Sequence, residues 1–198
     1  MLIGVLALQG DVREHIKALL ECGVTAVEVR TATEIEKVEA LVIPGGESTT
    51  ISKLARAFGL FETIQKRIQS GMPVYGSCAG LILLSDRVLD AIEGQETFGG
   101  LDITSRRNAF GRQVDSFESD LEFKGLTGPN FRAVFIRAPW IEEYGAKVEV
   151  LAEVNGHPVA VRSGNILATS FHPELISDNR IHRYFVEEIC RSAQKVGA

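Results

Sequence analysis

Apolar residues follow two different rhythms along this chain, and the rhythm changes near residue 100. In the first half, short continuous apolar runs alternate with segments whose apolar positions recur every three or four residues. Residues 2–8 form one such run, suited to a strand buried on both faces. Residues 11–22 then set Val12, Ile16, Leu19 and Leu20 at helical spacing, and Gly23 is placed to cap the end. A strand over 26–30 and a short helix over 33–38 come next, followed by a buried strand at Leu41-Val42-Ile43 that breaks at Pro44-Gly45-Gly46. Helical spacing returns from Ser48 to Phe58 and from Phe61 to Gln69, then a strand at Val74-Tyr75 and a helix from Ala79 to about Leu89. Strands alternating with helices in this way predict right-handed βαβ units and a parallel sheet.

In the second half the spacing reads mostly as strand, over 101–106, 115–123, 131–137, 147–154, 158–162 and 166–170. Asn155-Gly156 separates two alternating runs and predicts a tight hairpin. The last 20 residues read as an amphipathic helix with Ile181, Tyr184, Phe185 and Ile189 on one face and Asp178 as N-cap. Repeats, low-complexity tracts and linkers are not evident. The expectation is one three-layer α/β domain over residues 1–198, with a mostly parallel central sheet and an added antiparallel section.

Composition narrows the function classes. At 198 residues and 45% hydrophobic, the chain can bury one sizeable core. A formal net charge of −5 with no basic block argues against a nucleic-acid surface. The apolar runs are strand-sized, so no segment reads as a membrane span, and the apolar start lacks a basic leader and reads as a core strand. Cys22, Cys78 and Cys190 are odd in number and widely spaced, which fits a reducing, cytoplasmic compartment and offers no zinc framework. No metal and no cofactor is expected. Cys22 and Cys190 read as structural thiols.

Cys78 stands apart. In Gly76-Ser77-Cys78-Ala79-Gly80 it lies between a predicted strand and a predicted helix, the thiol form of a nucleophile elbow. There the helix N-terminus favours a thiolate over a free thiol whose pKa is near ~8.5, and the N–H of Ala79 is a natural oxyanion donor. His172 follows an apolar run and so sits at a strand end, where a parallel sheet opens its ligand crevice. Pro173 keeps His172 extended, and Glu174, two residues on, faces the same side and can hydrogen-bond one imidazole nitrogen. Nucleophile, base and orienter are the parts of acyl transfer through a thioester. The turn Pro44-Gly45-Gly46-Glu47-Ser48 lacks a Walker lysine, so it reads as a second oxyanion donor with polar substrate contacts rather than a phosphate loop.

These three segments, in this order, resemble the class I (triad) glutamine amidotransferases, whose flavodoxin-like fold is a three-layer α/β/α sandwich. The likeness spans nearly the whole chain. Leu8-Gln9-Gly10-Asp11-Val12-Arg13-Glu14-His15, the Arg107 to Glu118 block and Phe135-Ile136-Arg137-Ala138-Pro139 narrow it to the glutaminase subunits of pyridoxal 5′-phosphate synthases. Ser77, Ala109 and Trp140 depart from the usual threonine, serine and histidine of that group.

The resemblance implies hydrolysis of L-glutamine to glutamate and ammonia, with the ammonia passed to a separate synthase (lyase) subunit in a hetero-oligomeric complex. Cys78 is then the nucleophile, His172 the general acid/base and Glu174 its orienter. Gly46, Glu47, Ser48, Arg107, Ile136 and Arg137 contact glutamine, and Gly45, Gly46 and Ala79 form the oxyanion hole. Docking on the synthase is expected to activate the site, through the first helix around Arg13 and His15 and through the Arg107 to Glu118 segment. His157 and His182, and His15 apart from that surface, read as ordinary surface or packing histidines. Two rivals stand beside this reading: another cysteine hydrolase on a similar scaffold, and a binding subunit that keeps the fold without the chemistry.

Overall fold

Along each parallel strand, neighbouring side chains face opposite ways, and this period-two alternation sorts the core into two clusters. In the computed structural model, which describes residues 1–109 and 116–196, the first strand β1 (Leu2–Leu6) sends Ile3 and Val5 to one cluster and Leu6 to the other. In the third strand, β3 (Ala40–Ile43), Ala40 and Val42 face the first cluster while Leu41 and Ile43 face the second. Such strands are buried on both faces, as their unbroken apolar runs require.

The remaining elements follow in chain order. After β1 come α1 (Val12–Glu21), β2 (Thr25–Val29) and α2 (Ala32–Lys37). After β3 come α3 (Ser48–Ala57), α4 (Phe61–Gln69), β4 (Val74–Ser77) and α5 (Ala79–Leu84). Then follow β5 (Ser85–Leu89), β6 (Leu101–Arg106), β7 (Ser116–Leu121), β8 (Phe131–Ile136), β9 (Trp140–Tyr144), β10 (Glu149–Val154), β11 (His157–Ser163) and β12 (Ile166–Thr169). The chain closes with a 3₁₀ turn (Pro173–Leu175), α6 (Arg180–Tyr184), a π-helical stretch (Phe185–Cys190) and α7 (Arg191–Val196).

Among the described residues, seven strands make the central sheet in the order β10-β11-β12-β4-β3-β1-β2. The pairs from β12 to β2 are parallel, and β10 and β11 extend the sheet as antiparallel strands. A smaller sheet, β5-β6-β9, and the pair β7-β8 complete the strands. One face carries α1, β7-β8 and the C-terminal helices, with Leu19, Phe131, Phe135, Phe171 and Phe185 in its core. The other carries α2 to α5 and the small sheet, around Ile35, Ile51, Phe61, Ile64 and Leu83. The expected three-layer architecture, parallel with an antiparallel addition, is what forms.

Local expectations hold where the pattern is strong. Helix α4 runs over Phe61–Gln69 as predicted, the N–H of Gly23 bonds Leu20 at the end of α1, and Asn155-Gly156 is the two-residue turn between β10 and β11. Three details differ. The helix expected to reach Leu89 stops at Leu84, because Ser85 Oγ bonds back to the Leu81 carbonyl at 2.8 Å and the chain turns extended to pair with β6. Strand β9 has no counterpart in the sequence pattern, since Pro139 masks its start and only five residues follow. The C-terminal helix takes Asn179, not Asp178, as its N-cap; Asp178 Oδ1 instead accepts from the Arg180 N–H at 3.1 Å and pairs with the Arg180 guanidinium. The strand expected from residue 115 begins at Ser116 among the described residues. Phe110 to Asp115, part of the block expected to dock a partner, lies outside them.

Candidate active site

Four chain segments converge beyond the C-terminal ends of the parallel strands, where an open α/β sheet leaves room for a ligand. Gln9 and Asp11 follow β1, Gly45 to Ser48 follow β3, Cys78 follows β4 and His172 lies just past β12. Together with Arg107, Asn108, Ile136 and Arg137 from the second half, they enclose a cleft of about 290 Å³.

Cys78 occupies the link between β4 and α5 at φ 48°, ψ −99°. A non-glycine residue there carries strain of about 1–3 kcal/mol, a cost that persists only where the surroundings fix the turn. They do so here. The Cys78 N–H donates to the Thr169 carbonyl at 2.8 Å, and a side chain at position 80 would lie 2.2 Å from the Ile43 carbonyl oxygen, so only glycine lets α5 approach β3 this closely. The Cys78 thiol is buried and lies 3.9 Å from the Ile136 carbonyl oxygen.

His172 Nδ1 lies 2.8 Å from Glu174 Oε1, and the ring shares the cleft wall with Cys78. The orientation expected from the two-residue spacing is therefore realised, with the 3₁₀ turn at Pro173–Leu175 folding the carboxylate under the ring. A second carboxylate, Asp11, reaches to 3.6 Å of the same nitrogen. Burial disfavours the imidazolium, but the neighbouring Asp11, Cys78 and Glu174 side chains favour it more and push the His172 pKa up to about 12. Desolvation raises the pKa of Glu174, whose side chain is fully buried, against the opposing pull of His172. Among the described residues, Asp11, His172 and Glu174 form one cluster with metal-ligand atom types within 4.8 Å of one another. Two carboxylates sharing one imidazole nitrogen already account for that geometry.

Gly45 supports the ring from below. A β-carbon there would lie 2.4 Å from His172 Cε1, so any side chain would displace the imidazole. The next turn is tied to β1 by Gln9, whose Oε1 accepts from the Glu47 N–H at 2.7 Å. Glu47 is the N-cap of α3: its carboxylate accepts from the N–H groups of Thr49 at 3.1 Å and Thr50 at 2.7 Å. Burial pushes the Glu47 pKa up, but these bonds and that from the Thr50 hydroxyl prevail and leave it lowered.

Arg107 projects across the cleft from the turn after β6. Its Nη1 donates to Gln95 Oε1 at 2.6 Å and its Nη2 to Glu47 Oε1 at 3.1 Å, while Gln95 Nε2 donates to Ser48 Oγ at 3.0 Å. The guanidinium is thus pre-set in a polar ring, the arrangement that serves a carboxylate ligand. Arg137 sits at φ 42° in the bend after β8, next to the half-exposed Ile136. Both arginines lie just past strand ends, Arg137 one residue beyond the strand expected to include it.

Of the residues named from sequence, Cys78, Ala79, Gly46, Glu47, Ser48, Arg107, Ile136, Arg137 and His172 line the cleft, while Gly45 and Glu174 stand behind His172. Gln9, Asp11, Asn108 and Gln95 join the site without having been singled out as site residues from sequence. Gln9 and Asp11 follow the first strand directly, which was the available signal; Gln95 lies in an irregular loop and had none. The reading of His15 as part of a docking surface needs correction, while His182 is a packing histidine as expected. Both are fully buried and hydrogen-bonded to each other, so His15 is not part of a docking surface, whereas Arg13 beside it is exposed. Trp140 stacks on His157 with ring centroids 3.7 Å apart, away from the cleft.

Known proteins similar to this chain place it in a family. Residues 5–191 match the model of the SNO glutamine amidotransferase family. The chain is 61% identical over 197 residues to "Pyridoxal 5′-phosphate synthase subunit PdxT" of Acidothermus cellulolyticus, covering 97% of this chain and 95% of that one. It is 60% identical over 187 residues to the protein of the same name from Streptomyces avermitilis, covering 94% and 93%. Among solved structures, one described as a glutamine amidotransferase superposes with a TM-score of 0.89 at 50% identity, covering 96% of this chain and 98% of its own. A putative GMP synthase subunit from Thermoplasma acidophilum, at 18% identity and TM-score 0.70 over 100% of this chain and 97% of its own, shares the fold. No helix among the described residues is long and apolar enough to cross a membrane.

Proposed function

This chain belongs to the SNO glutamine amidotransferase family, and from that premise we propose that it is the glutaminase subunit of a pyridoxal 5′-phosphate synthase, hydrolysing L-glutamine to glutamate and ammonia for a separate synthase subunit. The observation that carries the chemistry is Cys78 and His172 lining one wall of the cleft, with Glu174 hydrogen-bonded to the imidazole behind it.

In this reading the Cys78 thiolate attacks the side-chain amide carbon of glutamine, forming the C–S bond and placing charge on the amide oxygen. The N–H groups of Ala79 and of the Gly45-Gly46 turn hold that oxyanion. His172, as imidazolium, gives its proton to the leaving nitrogen; the C–N bond breaks, ammonia departs and a thioester remains. Neutral His172 then takes a proton from water as the water adds to the thioester, and glutamate leaves as the thiolate re-forms. Glu174 keeps Nδ1 protonated and Nε2 aimed at the reacting atoms. Arg107, fixed by Gln95 and Glu47, is placed to receive the α-carboxylate. Gly46, Glu47, Ser48, Ile136 and Arg137 complete the walls around the substrate.

The glycine turn is also the element through which docking would act. Removing one oxyanion donor costs about 10²–10³ in rate, so a turn whose N–H groups align only in the complex spares glutamine when no acceptor is present. Glutamate and ammonia release, measured with the synthase subunit present and absent, tests both levels. Release that rises in the presence of the synthase and vanishes in Cys78→Ala is the expected result. Equal release in both conditions would remove the docking switch, and no release in either would remove the glutaminase assignment.

A further inference from the structure

The mechanism uses one oxygen of Glu174 and leaves the other unexplained. Oε1 bonds His172, whereas Oε2 is buried and has no hydrogen-bond partner among the described residues. His15 Nε2, a nitrogen able to donate, lies 3.5 Å from it. That same nitrogen lies 3.0 Å from Ser77 Oγ, one residue before the nucleophile. On its other side, His15 Nδ1 lies 2.9 Å from His182 Nε2 in α6. Both imidazoles are completely buried.

Hydrogen-bond bookkeeping decides where the protons sit. A proton on His15 Nδ1 would go to His182 Nε2 and leave His182 protonated on Nδ1, an atom with no partner among the described residues. It would also turn the lone pair of His15 Nε2 toward a carboxylate oxygen. The opposite arrangement puts N–H on His15 Nε2, between Ser77 Oγ and Glu174 Oε2, and lets His182 Nε2–H donate to His15 Nδ1. It leaves the His182 Nδ1 lone pair unmet and the Ser77 hydroxyl proton without an acceptor among the described residues. Each arrangement orphans one buried donor, but leaving a charged oxygen opposed by a lone pair costs more than leaving a neutral group unpaired, so the second arrangement, which turns an N–H toward Glu174 Oε2, wins. Other titratable and polar groups facing His15 agree with a neutral ring. Desolvation, then His182 and His172, hold its pKa well below the ordinary value. Tyr75 meets it edge-on, with its hydroxyl committed to Thr169 Oγ1 at 2.9 Å.

We propose that His15 is a positioning residue for the triad: its Nε2–H, fixed in that tautomer by His182, holds the far oxygen of Glu174 and Ser77 in one register, and so aligns orienter and nucleophile. The proposal rests on the reading of Cys78, His172 and Glu174 as the reacting set. A neutral donor stabilises the ionised carboxylate, so losing it lets Glu174 take up a proton at higher pH.

The test combines spectroscopy of the wild-type protein with turnover of variants in complex with the synthase. Long-range ¹⁵N–¹H correlation spectra, resolving four histidines, are expected to show His15 as the neutral Nε2–H tautomer from about pH 5 to about pH 8. His15→Leu is expected to lower kcat about 10- to 100-fold, the range found when partners that orient a reacting group are lost. KM for glutamine should hold, and the acid limb of the kcat profile should move to higher pH. His15→Gln, which restores an N–H toward Glu174, should recover most of the loss. An Nδ1–H tautomer, or a His15 that titrates within that range, overturns the proposal even if His15→Leu does not fold. A folded His15→Leu with wild-type kcat and pH profile overturns it as well, while wild-type glutamate release keeps the functional reading intact. No glutamate release by the wild-type complex overturns both together.

Discussion

The two walls of the cleft are built in opposite ways. The deep wall, with Cys78, His172 and Glu174, hangs from the ends of buried parallel strands, and its groups are bonded to one another or to backbone. The rim, with Glu47, Gln95, Arg107, Ile136 and Arg137, comes from loops and from strands of the added sections, and Glu47 and Arg107 pair there at the edge of solvent. Rigid elements fix the reacting atoms, while loops that can vary without disturbing the sheet fix what is bound. Substitutions in the two walls should therefore fail differently: the deep wall in kcat and in acid stability, the rim in KM.

The largest expected difference is at the nucleophile. Cys78→Ala should lower glutamate release by about 10⁴-fold or more while glutamine still binds, because one member of a catalytic unit removes nearly the whole effect. Next is the response to acid. Burial lowers the pKa of His182 to about 4, below its ordinary value, so the folded state binds fewer protons than the unfolded one between about pH 6.5 and about pH 4. The stability tied to this group is fully present above that window and is lost as pH falls through it, by roughly 3 kcal/mol at the end. Urea midpoints at about pH 7 and about pH 4.5 should diverge less in His182→Leu than in the wild type; an equal divergence would place the acid sensitivity elsewhere.

Gly45→Ala tests the support under His172. The new methyl would collide with the ring, and a displacement of about 1 Å can cost about 10² in rate, so kcat should drop about a hundredfold with little change in KM. At the rim, Arg107→Ala should raise KM about tenfold and leave kcat within a few-fold, the signature of lost uniform binding. Arg107→Lys should not restore it, since an ammonium cannot keep the paired donors to Gln95 and Glu47. Smallest of all, Gln95→Ala should raise KM a few-fold by freeing Arg107. A kcat effect at Arg107 as large as that at Gly45 would erase the division between the walls.

Much of the deep wall could be read from the sequence. Leu41-Val42-Ile43, Val74-Tyr75 and Ile166 to Thr169 are apolar runs followed within three residues by glycine, cysteine or histidine, and parallel strands place whatever follows them at the crevice. The spacing of His172 and Glu174 foretold their hydrogen bond because it depends on a few local dihedrals. The rim was legible mainly through family resemblance. Arg107 and Arg137 lie in turns at positive-φ neighbours or residues, Asn108 at 46° and Arg137 at 42°, and no periodicity announces such turns. His15 was misjudged as a surface residue, and its buried contact with His182 went unforeseen, for a different reason. Each sits at an ordinary helical position, and their contact joins residues far apart in the chain through tertiary packing that neither local sequence encodes. The helix ending at Leu84 was overrun because Ser85 to Leu89 carries no glycine or proline stop; a single hydroxyl-to-carbonyl bond and a partner strand decide it.

The most direct test of the central claim, that Cys78 attacks the side-chain amide of glutamine, is covalent capture. A glutamine-analogue electrophile, such as a chloroketone in place of the amide, would be incubated with the complex and the adduct located by peptide mass spectrometry. The account predicts one adduct, on Cys78, suppressed by excess glutamine and absent in Cys78→Ala, with Cys22 and Cys190 unlabelled because both are buried away from the cleft. Labelling that ignores glutamine, or that persists in Cys78→Ala, would contradict it.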